Sequence, residues 1–267
     1  MSSIQWTDVT DNPIHLTKWN GKNGGHWCNK ISPGCINCYA EAKNQSNFFS
    51  WASHRFYHGK PPKNITLNRA LIESWARCRK PKKHFVCSMT DLFGEWVAKE
   101  WQFEIFDAMS AAQSQTFQIL TKRPQIALAA IQEYCHKNDL EKLPKNIWVG
   151  VSVENQEWAE RRLPILIKIP AYIRFLSVEP LLGEVSLFLD GIHWVIVGGE
   201  SGQNARPCRI EHIYSVVSQC QKSDVAVFVK QLGSRPLGLS ICLKDPKGGD
   251  ISEFPEFVKV RQLPKGF

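Results

Sequence analysis

Three cysteines near the start of the chain are the residues whose types and spacing most clearly suggest chemistry. Cys28, Cys35 and Cys38 are spaced C-x6-C-x2-C, whereas the other six of the nine cysteines are scattered. A Pro-Gly pair before the second cysteine allows a tight turn, so three thiolates can converge. Three soft thiolates suit an iron–sulfur cluster or zinc. Structural zinc needs a fourth ligand, for which His26 is the nearest candidate, whereas a four-iron cluster would keep one iron open.

Beyond residue 80 the sequence repeats a pattern of predicted strands and helices, which would form the scaffold for these ligands. Six short β-rich runs lack strict apolar–polar alternation, which is typical of parallel strands buried on both faces. Stretches with helical spacing of apolar residues separate them. The runs cover residues 84–89, 116–120, 147–153, 173–178, 193–197 and 225–229. A repeated βα unit of this size predicts either a βα barrel or a doubly wound sheet.

Polar residues come directly after nearly every predicted strand, and this favours the barrel. Barrel active sites are built at the carboxyl ends of several strands, whereas a doubly wound sheet binds its ligand at a switch point. The prediction is therefore an α/β protein with a partial (β/α)6-type TIM barrel. Residues 1–267 are expected to form a single domain, with an irregular insertion at 42–83 and a C-terminal wrap at 234–267.

The Gly-Cys-x-x-Cys-Tyr-Ala run resembles the cluster loop of radical S-adenosylmethionine enzymes. More closely, the chain resembles the phage-type three-Cys-motif branch, often described as a phage protein of unknown function. The stretches that carry this resemblance are IQWTD (4–8), SPGCINCYAE (32–41), CSMTDLFGEWV (87–97), LTKRP (120–124), WVGVSVEN (148–155), FLSVEPLLG (175–183), WVIVGGESG (194–202), ARPC (205–208) and VKQLG (229–233). The chain departs from the commonest radical-enzyme pattern in its six-residue first gap and in Asn37, where an aromatic residue is frequent.

The resemblance implies that Cys28, Cys35 and Cys38 hold a [4Fe–4S] cluster whose fourth iron binds the amino and carboxylate groups of S-adenosylmethionine. One electron through the cluster would cleave the sulfonium C–S bond, giving methionine and a 5′-deoxyadenosyl radical that takes hydrogen from a substrate. The barrel would be of the radical-enzyme kind, with an N-terminal cluster loop. The implied partners are a three-Cys-motif partner protein and an electron donor such as flavodoxin or ferredoxin.

The polar residues at the predicted strand ends are candidates for binding the cofactor. Lys122 and Arg123 suit a carboxylate or phosphate, the alternative being a surface pair ahead of a helix. Asp91 or Glu95 suits an ammonium group, the alternative being that Asp91 caps a helix beginning near Gly94. The full set is Ser88, Thr90, Asp91, Lys122, Arg123, Ser152, Glu154, Asn155, Glu179, Gly199, Glu200 and Lys230.

Several of these candidates have a structural alternative. Asn155 is equally suited to cap the following helix. Gly199 permits close approach of a flat adenine, or only forms a turn. Lys230 is either functional or paired with a carboxylate such as Glu200.

Two cysteines outside the loop are candidate hydrogen-atom donors. Cys87 and Cys208 lie near the predicted mouth of the barrel. The alternative is that both thiols are buried packing residues, which is the usual role of a free cysteine.

The charge balance favours an anionic partner. There are 33 Lys and Arg against 25 Asp and Glu, a net charge of +8. Five basic residues fall within 77–84, and aromatic residues lie nearby at Trp51, Phe56, Tyr57 and Trp75. Basic and aromatic groups together can hold a single-stranded or flipped base. The alternative is a solvated basic loop. The patch comes before its predicted strand, which places it at the bottom of the barrel, away from the mouth where the site is expected. A nucleic acid or nucleotide substrate is therefore a hypothesis.

The remaining features exclude some classes and leave a rival function. The sequence has no run of about 18 apolar residues, so no membrane span is predicted. The N-terminus lacks a signal-peptide pattern. A cytoplasmic location is expected. The rival is a zinc-stabilised nucleic-acid-binding protein without redox chemistry, suggested by the charge and by His26 two residues before Cys28. A third, weaker hypothesis is a cluster-bearing regulator that binds the cofactor without turnover.

Overall fold

The computed structural model describes residues 4–46, 56–239 and 243–266, which form two compact units. The first unit comprises residues up to 149 together with 169–172, and the second comprises 150–168 together with 173 onward. Its elements are, in the first unit, β1 (Val9–Asp11), β2 (Ile14–Leu16), α1 (Tyr39–Gln45), β3 (Ile65–Leu67), α2 (Arg69–Arg77), β4 (Lys83–Val86), α3 (Lys99–Ala111), β5 (Thr116–Thr121) and α4 (Pro124–Lys137). The chain continues through β6 (Ile147–Ser152) to α5 (Gln156–Leu166), β7 (Ile173–Val178), β8 (Trp194–Gly198), β9 (Cys208–Arg209), α6 (Ile210–Lys222), β10 (Ala226–Gln231) and β11 (Pro236–Leu237).

A seven-stranded sheet has the order β1-β4-β5-β6-β7-β8-β10. In the first unit β4 pairs in parallel with β1 and β5, and in the second β8 pairs in parallel with β7 and β10. Strands β6 and β8 are buried along their whole length, which is why their sequences are continuously apolar. The predicted α/β class is confirmed, and each of the six predicted runs coincides with a strand of this sheet.

The structure differs from the sequence prediction at the end of β4 and in the presence of β1. A strand is predicted over 84–89, but β4 ends at Val86 because Cys87 adopts a left-handed φ of 61°, which is outside the strand region. Strand β1 is not predicted at all. It has only three residues, two of them polar, and is only partly buried, so it lacks the apolar run that reveals the other strands.

The two segments predicted as irregular contain ordered elements. Within 42–83, β3 pairs antiparallel with β2, and α2 follows β3. Near the C-terminus, the backbone of Val260 and Gln262 pairs with that of Val229 and Val227 on β10, and Trp194 Nε1 donates to the Gln262 carbonyl at 2.8 Å. The C-terminal segment therefore packs along β10.

A buried polar network fixes β1 to β4 and α2. Asp11 Oδ2 accepts from Trp75 Nε1 at 2.8 Å and lies 2.7 Å from His84 Nδ1. The other ring nitrogen of His84 is 3.1 Å from Gln115 Oε1. Trp75 and His84 are both buried, so a single carboxylate serves donors from two elements.

Replacing Asp11 with alanine is expected to lower the free energy of unfolding by about 2–3 kcal/mol, because a buried donor left without an acceptor costs about 1–3 kcal/mol. Urea unfolding of the iron-free chain measures this. The matched control is Glu141→Ala, whose side chain is 84% exposed and which should leave the midpoint unchanged. Equal midpoints for the two variants would contradict the role given to Asp11.

No helix in the parts of the chain that the structure describes is long and apolar enough to cross a membrane.

Candidate functional site

The three clustered cysteines lie on one loop of the first unit, between β2 and α1. Cys35 ends a single 3-10 turn at Pro33–Cys35, and Cys38 directly precedes α1. Cys28 and Cys38 both pack against a small buried cluster formed by Ala40, Tyr57 and Met89. The local order follows from the sequence, because the Pro-Gly pair starts the turn that carries the second cysteine toward the third.

The pKa values of two of the three loop thiols are raised. Burial raises the pKa of Cys28 well above its ordinary value, and the charges of Asp91, Cys38 and Cys35 add to this, while Arg123 opposes it. Burial likewise raises the pKa of Cys38. A thiol that coordinates a metal is deprotonated outright, because the ion outweighs such local effects. A metal or cluster bound here would therefore displace the protons of these thiols, and soft thiolates are ligands that suit iron or zinc.

Hydrogen bonds from several elements hold the backbone of this loop. The His26 N–H donates to Asn44 Oδ1 at 3.0 Å, and Asn44 Nδ2 donates to the His26 carbonyl at 2.9 Å, tying the loop to α1. Thr90 Oγ1 donates to the Trp27 carbonyl at 2.6 Å. Arg123 Nη2 donates to the Asn29 carbonyl at 3.1 Å. The backbone on both sides of Cys28 is thus fixed.

His26 is buried in the first unit beside this loop. Its Nδ1 lies 3.1 Å from the Ile14 carbonyl, which can only accept a hydrogen bond. Burial lowers the pKa of His26 to about 4, with a further lowering from the charge of His15. The imidazole is therefore neutral at neutral pH. Across the described residues, no three His, Cys, Asp or Glu side chains are arranged to hold a single metal ion. The cysteines of a four-iron cluster bind separate irons.

Asp91 and Arg123 form a buried pair behind the cysteine loop. Asp91 Oδ2 accepts from Arg123 Nη1 and from the Lys122 backbone N–H, both at 3.1 Å. Asp91 Oδ1 accepts from Thr121 Oγ1 at 2.7 Å and from the Phe93 N–H at 3.0 Å. Both carboxylate oxygens thus have partners inside the unit. Helix α3 begins only at Lys99, so Asp91 stabilises a turn and does not cap a helix near Gly94.

Two tryptophans extend the contacts of Arg123 to the loop. The Arg123 guanidinium lies 4.7 Å from the Trp96 ring centroid, and its Nε donates to Glu95 at 3.2 Å. The Trp96 ring meets Trp27 edge-on at 4.8 Å, and Trp27 directly precedes Cys28. Sequence reasoning missed both tryptophans, because neither shows a helical or strand spacing with the cysteines.

The other candidates of the first unit lie in the turn after β4. Ser88 Oγ accepts from Asn12 Nδ2 at 3.1 Å, and the Ser88 carbonyl accepts from the Tyr39 hydroxyl at 2.5 Å. Cys87 is buried, and burial raises the pKa of its thiol. The structure therefore brings Ser88, Thr90, Asp91 and Arg123 next to the cysteine loop, where their hydrogen bonds hold that loop and its neighbours.

The second unit contains the remaining candidates, beginning with those after β6. Glu154 and Arg162 form a fully buried ion pair, with Arg162 Nη1 3.0 Å from Glu154 Oε2 and 2.8 Å from the Ser152 carbonyl. Asn155 is the N-cap of α5, since its Oδ1 accepts from the Trp158 N–H at 3.2 Å. Of the two roles open for Asn155, the structure shows the cap.

Lys230 is paired with a carboxylate, as one of its two alternatives held, but that carboxylate is Glu179 and not Glu200. Lys230 Nζ lies 2.6 Å from Glu179 Oε1 on the turn after β7. Glu200 accepts instead from Arg206, whose Nε is 2.9 Å from Glu200 Oε2. The Glu200 pair is local, with Arg206 six residues further along the chain, whereas Lys230 reaches Glu179 from β10.

Gly199 and Cys208 meet in a tightly packed part of the second unit. A Cβ at Gly199 would fall 2.4 Å from the Leu232 carbonyl oxygen and 2.9 Å from the Cys208 Cβ. Glycine is therefore required there by backbone packing. Burial raises the pKa of Cys208 to about 12, so its thiol is neutral.

The aromatic residues near the predicted basic patch separate by exposure. Tyr57 and Trp75 are buried, whereas Phe56 is more than half exposed. Trp51 and Cys242 lie outside the described residues. The basic residues between 77 and 83 precede or begin β4, at the amino end of the strand. Tyr57 and Trp75 are thus core residues and do not present a face to a base.

The chain is an α/β protein with a three-cysteine loop ahead of a parallel sheet. It belongs to the family described as "Protein of unknown function (DUF5131)", whose model matches residues 1–251. The search of curated proteins returns no match. The search of solved structures returns none either.

Proposed function

We propose that this protein is an enzyme of the radical S-adenosylmethionine kind, with a [4Fe–4S] cluster on Cys28, Cys35 and Cys38 and S-adenosylmethionine at the open iron. The observation that supports the proposal is the placement of these three thiols on one loop, two of them against the same buried residues, with hydrogen bonds from α1, Thr90 and Arg123 holding the backbone around Cys28. The partial barrel of that enzyme class is part of the same proposal.

When bound, the cluster and S-adenosylmethionine supply a reductively generated 5′-deoxyadenosyl radical that abstracts hydrogen from the substrate. The chain contributes three thiolates, which suit iron, and leaves one iron without a protein ligand. An electron-donor protein such as flavodoxin or ferredoxin is needed as the reductant, and a three-Cys-motif partner protein is a further proposed partner.

The residues around the loop have two roles in this proposal. Trp27 is buried and Trp96 packs on it, so their indoles exclude water from the side of Cys28. A dry site prevents the loss of reactive intermediates to solvent. Asp91 and Arg123 are positioning residues, since they fix the backbone that follows Cys28.

Other candidates keep their predicted roles within the proposal. Lys122 follows β5 next to the Asp91–Arg123 pair and suits the carboxylate of the cofactor. Cys87 and Cys208 stay proposed hydrogen-atom donors. The polar residues of the second unit, from Ser152 to Lys230, stay proposed cofactor contacts.

The test is anaerobic reconstitution with iron and sulfide, followed by metal analysis and electron paramagnetic resonance of the reduced protein. We expect about four irons per chain and a signal whose shape changes when S-adenosylmethionine is added. Stoichiometric zinc with no uptake of iron would favour the zinc-stabilised nucleic-acid-binding protein and refute the radical enzyme. A four-iron signal indifferent to S-adenosylmethionine would refute the cofactor assignment alone.

A further inference from the structure

The excess positive charge of the chain is concentrated around the cysteine loop. Between residues 12 and 72 there is one acidic residue, Glu41, against eight lysines and arginines, which leaves +7 of the chain's net charge of +8. Glu41 is itself buried and paired with Lys30 at 2.5 Å. The basic residues are Lys18, Lys22, Lys30, Lys43, Arg55, Lys60, Lys63 and Arg69. Arg55 lies outside the described residues, and Arg69 is paired with Glu104 from outside the segment. This segment therefore presents a field that attracts polyanions.

The same segment exposes large apolar side chains, chief among them Trp19. Trp19 is 97% exposed, and Ile36, Tyr39 and Phe56 are each between 45% and 62% exposed. An indole left almost wholly in water loses the burial that usually stabilises tryptophan. Aromatic faces interleaved with cations are the pattern that proteins use to bind single-stranded nucleic acid.

Trp19 lies at the tip of a hydrogen-bonded hairpin that leads directly into the cysteine loop. The Lys18 N–H donates to the Lys22 carbonyl at 2.9 Å, and the Gly21 N–H donates to the Lys18 carbonyl at 2.9 Å. Gly21 has a φ of 76°, which allows this tight turn. The tip is therefore held in place by its backbone while the indole stays outside, so little side-chain ordering is needed on binding.

The hairpin is also tied to Asn64, which directly precedes β3. The Thr17 N–H donates to the Asn64 carbonyl at 2.8 Å, and Asn64 Nδ2 donates to the Thr17 carbonyl at 2.8 Å. Lys63, which is exposed, directly precedes Asn64. The cations flanking Trp19 thus come both from the hairpin and from the segment paired with it.

We infer that the hairpin around Trp19, with Lys18, Lys22 and the neighbouring Lys63, forms a binding surface for a single-stranded polynucleotide, with Trp19 stacking on a base and the lysines contacting phosphates. Bases of a duplex already stack on each other, whereas splayed bases of a single strand are free to stack on an aromatic side chain. That this polymer is the substrate rests on the proposed function. The binding surface itself does not.

The first test is fluorescence anisotropy with labelled oligo(dT) and oligo(U) of about 15 nucleotides, a length that spans a typical site, and with a duplex of the same length. The full chain is used before and after loading with iron. We expect at least one of the two single strands to bind more tightly than the duplex. Preference for DNA or for RNA identifies which polymer this surface serves. Equal or tighter binding of the duplex would overturn the inference.

Trp19→Ala is expected to weaken single-strand binding roughly five- to hundredfold, because stacking contributes about 1–3 kcal/mol per base. Trp19→Phe should retain most of the affinity. The matched control is Phe188→Ala, which removes a 60% exposed aromatic side chain from the second unit and should leave binding unchanged. Because Trp19 is outside the core, thermal unfolding of the variant should match the parent. Equal affinities of Trp19→Ala and Phe188→Ala would overturn the role of Trp19.

Lys22→Ala tests the phosphate contacts. It should reduce the slope of log affinity against log salt by about 0.7, the value for one phosphate contact on a single strand. Lys222→Ala, at the end of α6 in the second unit, is the matched control and should leave the slope unchanged. If the iron assay fails while these results hold, only the proposed enzyme falls. If neither oligonucleotide binds at low salt, the binding surface is refuted and the cluster proposal is untouched.

Discussion

Replacing Cys28 with alanine is expected to abolish the uptake of iron during anaerobic reconstitution, the largest effect we predict. The chain supplies three thiolates to the proposed iron–sulfur cluster. Cys28 is one of the two that pack on the buried side chains of Ala40, Tyr57 and Met89. Two thiolates would leave two irons without protein ligands, and a cluster held so loosely dissociates. Iron and sulfide analysis, together with the visible absorbance of the reconstituted protein, measures the loss.

Matched substitutions separate ligation from general damage. Cys35→Ala and Cys38→Ala should behave as Cys28→Ala does. Cys78→Ser, at the end of α2, changes a partly exposed thiol away from the loop and should load iron as the parent does. Iron uptake retained by Cys28→Ala would show that the loop does not hold the cluster. Uptake lost equally in Cys78→Ser would show that the assay reports on folding only.

The strands of the sheet were predictable because their burial has a simple signature. Residues buried on both faces are mostly apolar, so runs such as β6 and β8 stand out from polar surroundings. Strand β1 escapes this logic, because a three-residue strand with two polar positions leaves no such run. The end of β4 escapes it too, since a backbone dihedral at Cys87 ends the strand while the side chains stay apolar.

The spacing of the three cysteines singles them out in the sequence, because three thiols within eleven residues can be brought together by one loop. The partners of the charged residues cannot be read in this way. Which carboxylate meets which cation depends on strand order and turn shape. Lys230 therefore reaches Glu179, and Glu200 takes Arg206, although all four residues look equally available in the sequence.

The same limitation applies to Asp91 and Arg123, which the sequence marks as cofactor ligands because both follow strands. The structure shows their charges compensating each other beneath the loop, with 7% of the Asp91 side chain and 5% of the Arg123 side chain exposed. A polar residue at a strand end can meet a neighbour inside the fold as well as a ligand, and here the structure shows the internal partners. Sequence spacing carries no information about that competition.

Arg123→Met is expected to destabilise the iron-free chain by about 3–5 kcal/mol, the usual cost of removing one partner from a buried ion pair. The substitution keeps most of the side-chain volume, so the loss arises chiefly from the unpaired charge of Asp91. It also removes the donor to the Asn29 carbonyl. Urea unfolding measures the change. Arg69→Met, which breaks an exposed pair with Glu104, is the matched control and should leave the midpoint unchanged.

A second readout separates release of the loop from loss of stability. In the native iron-free chain, alkylation of Cys28 should become faster in Arg123→Met, because the backbone after this residue is no longer held, while Cys135 on α4 should react at the rate of the parent. Adding Asp91→Asn should recover part of the lost stability, since it removes the uncompensated charge, and the double-mutant cycle gives the coupling energy. Additive effects of the two substitutions would mean that Asp91 and Arg123 act independently, and Arg123 would then hold the loop through the Asn29 carbonyl and Trp96 alone.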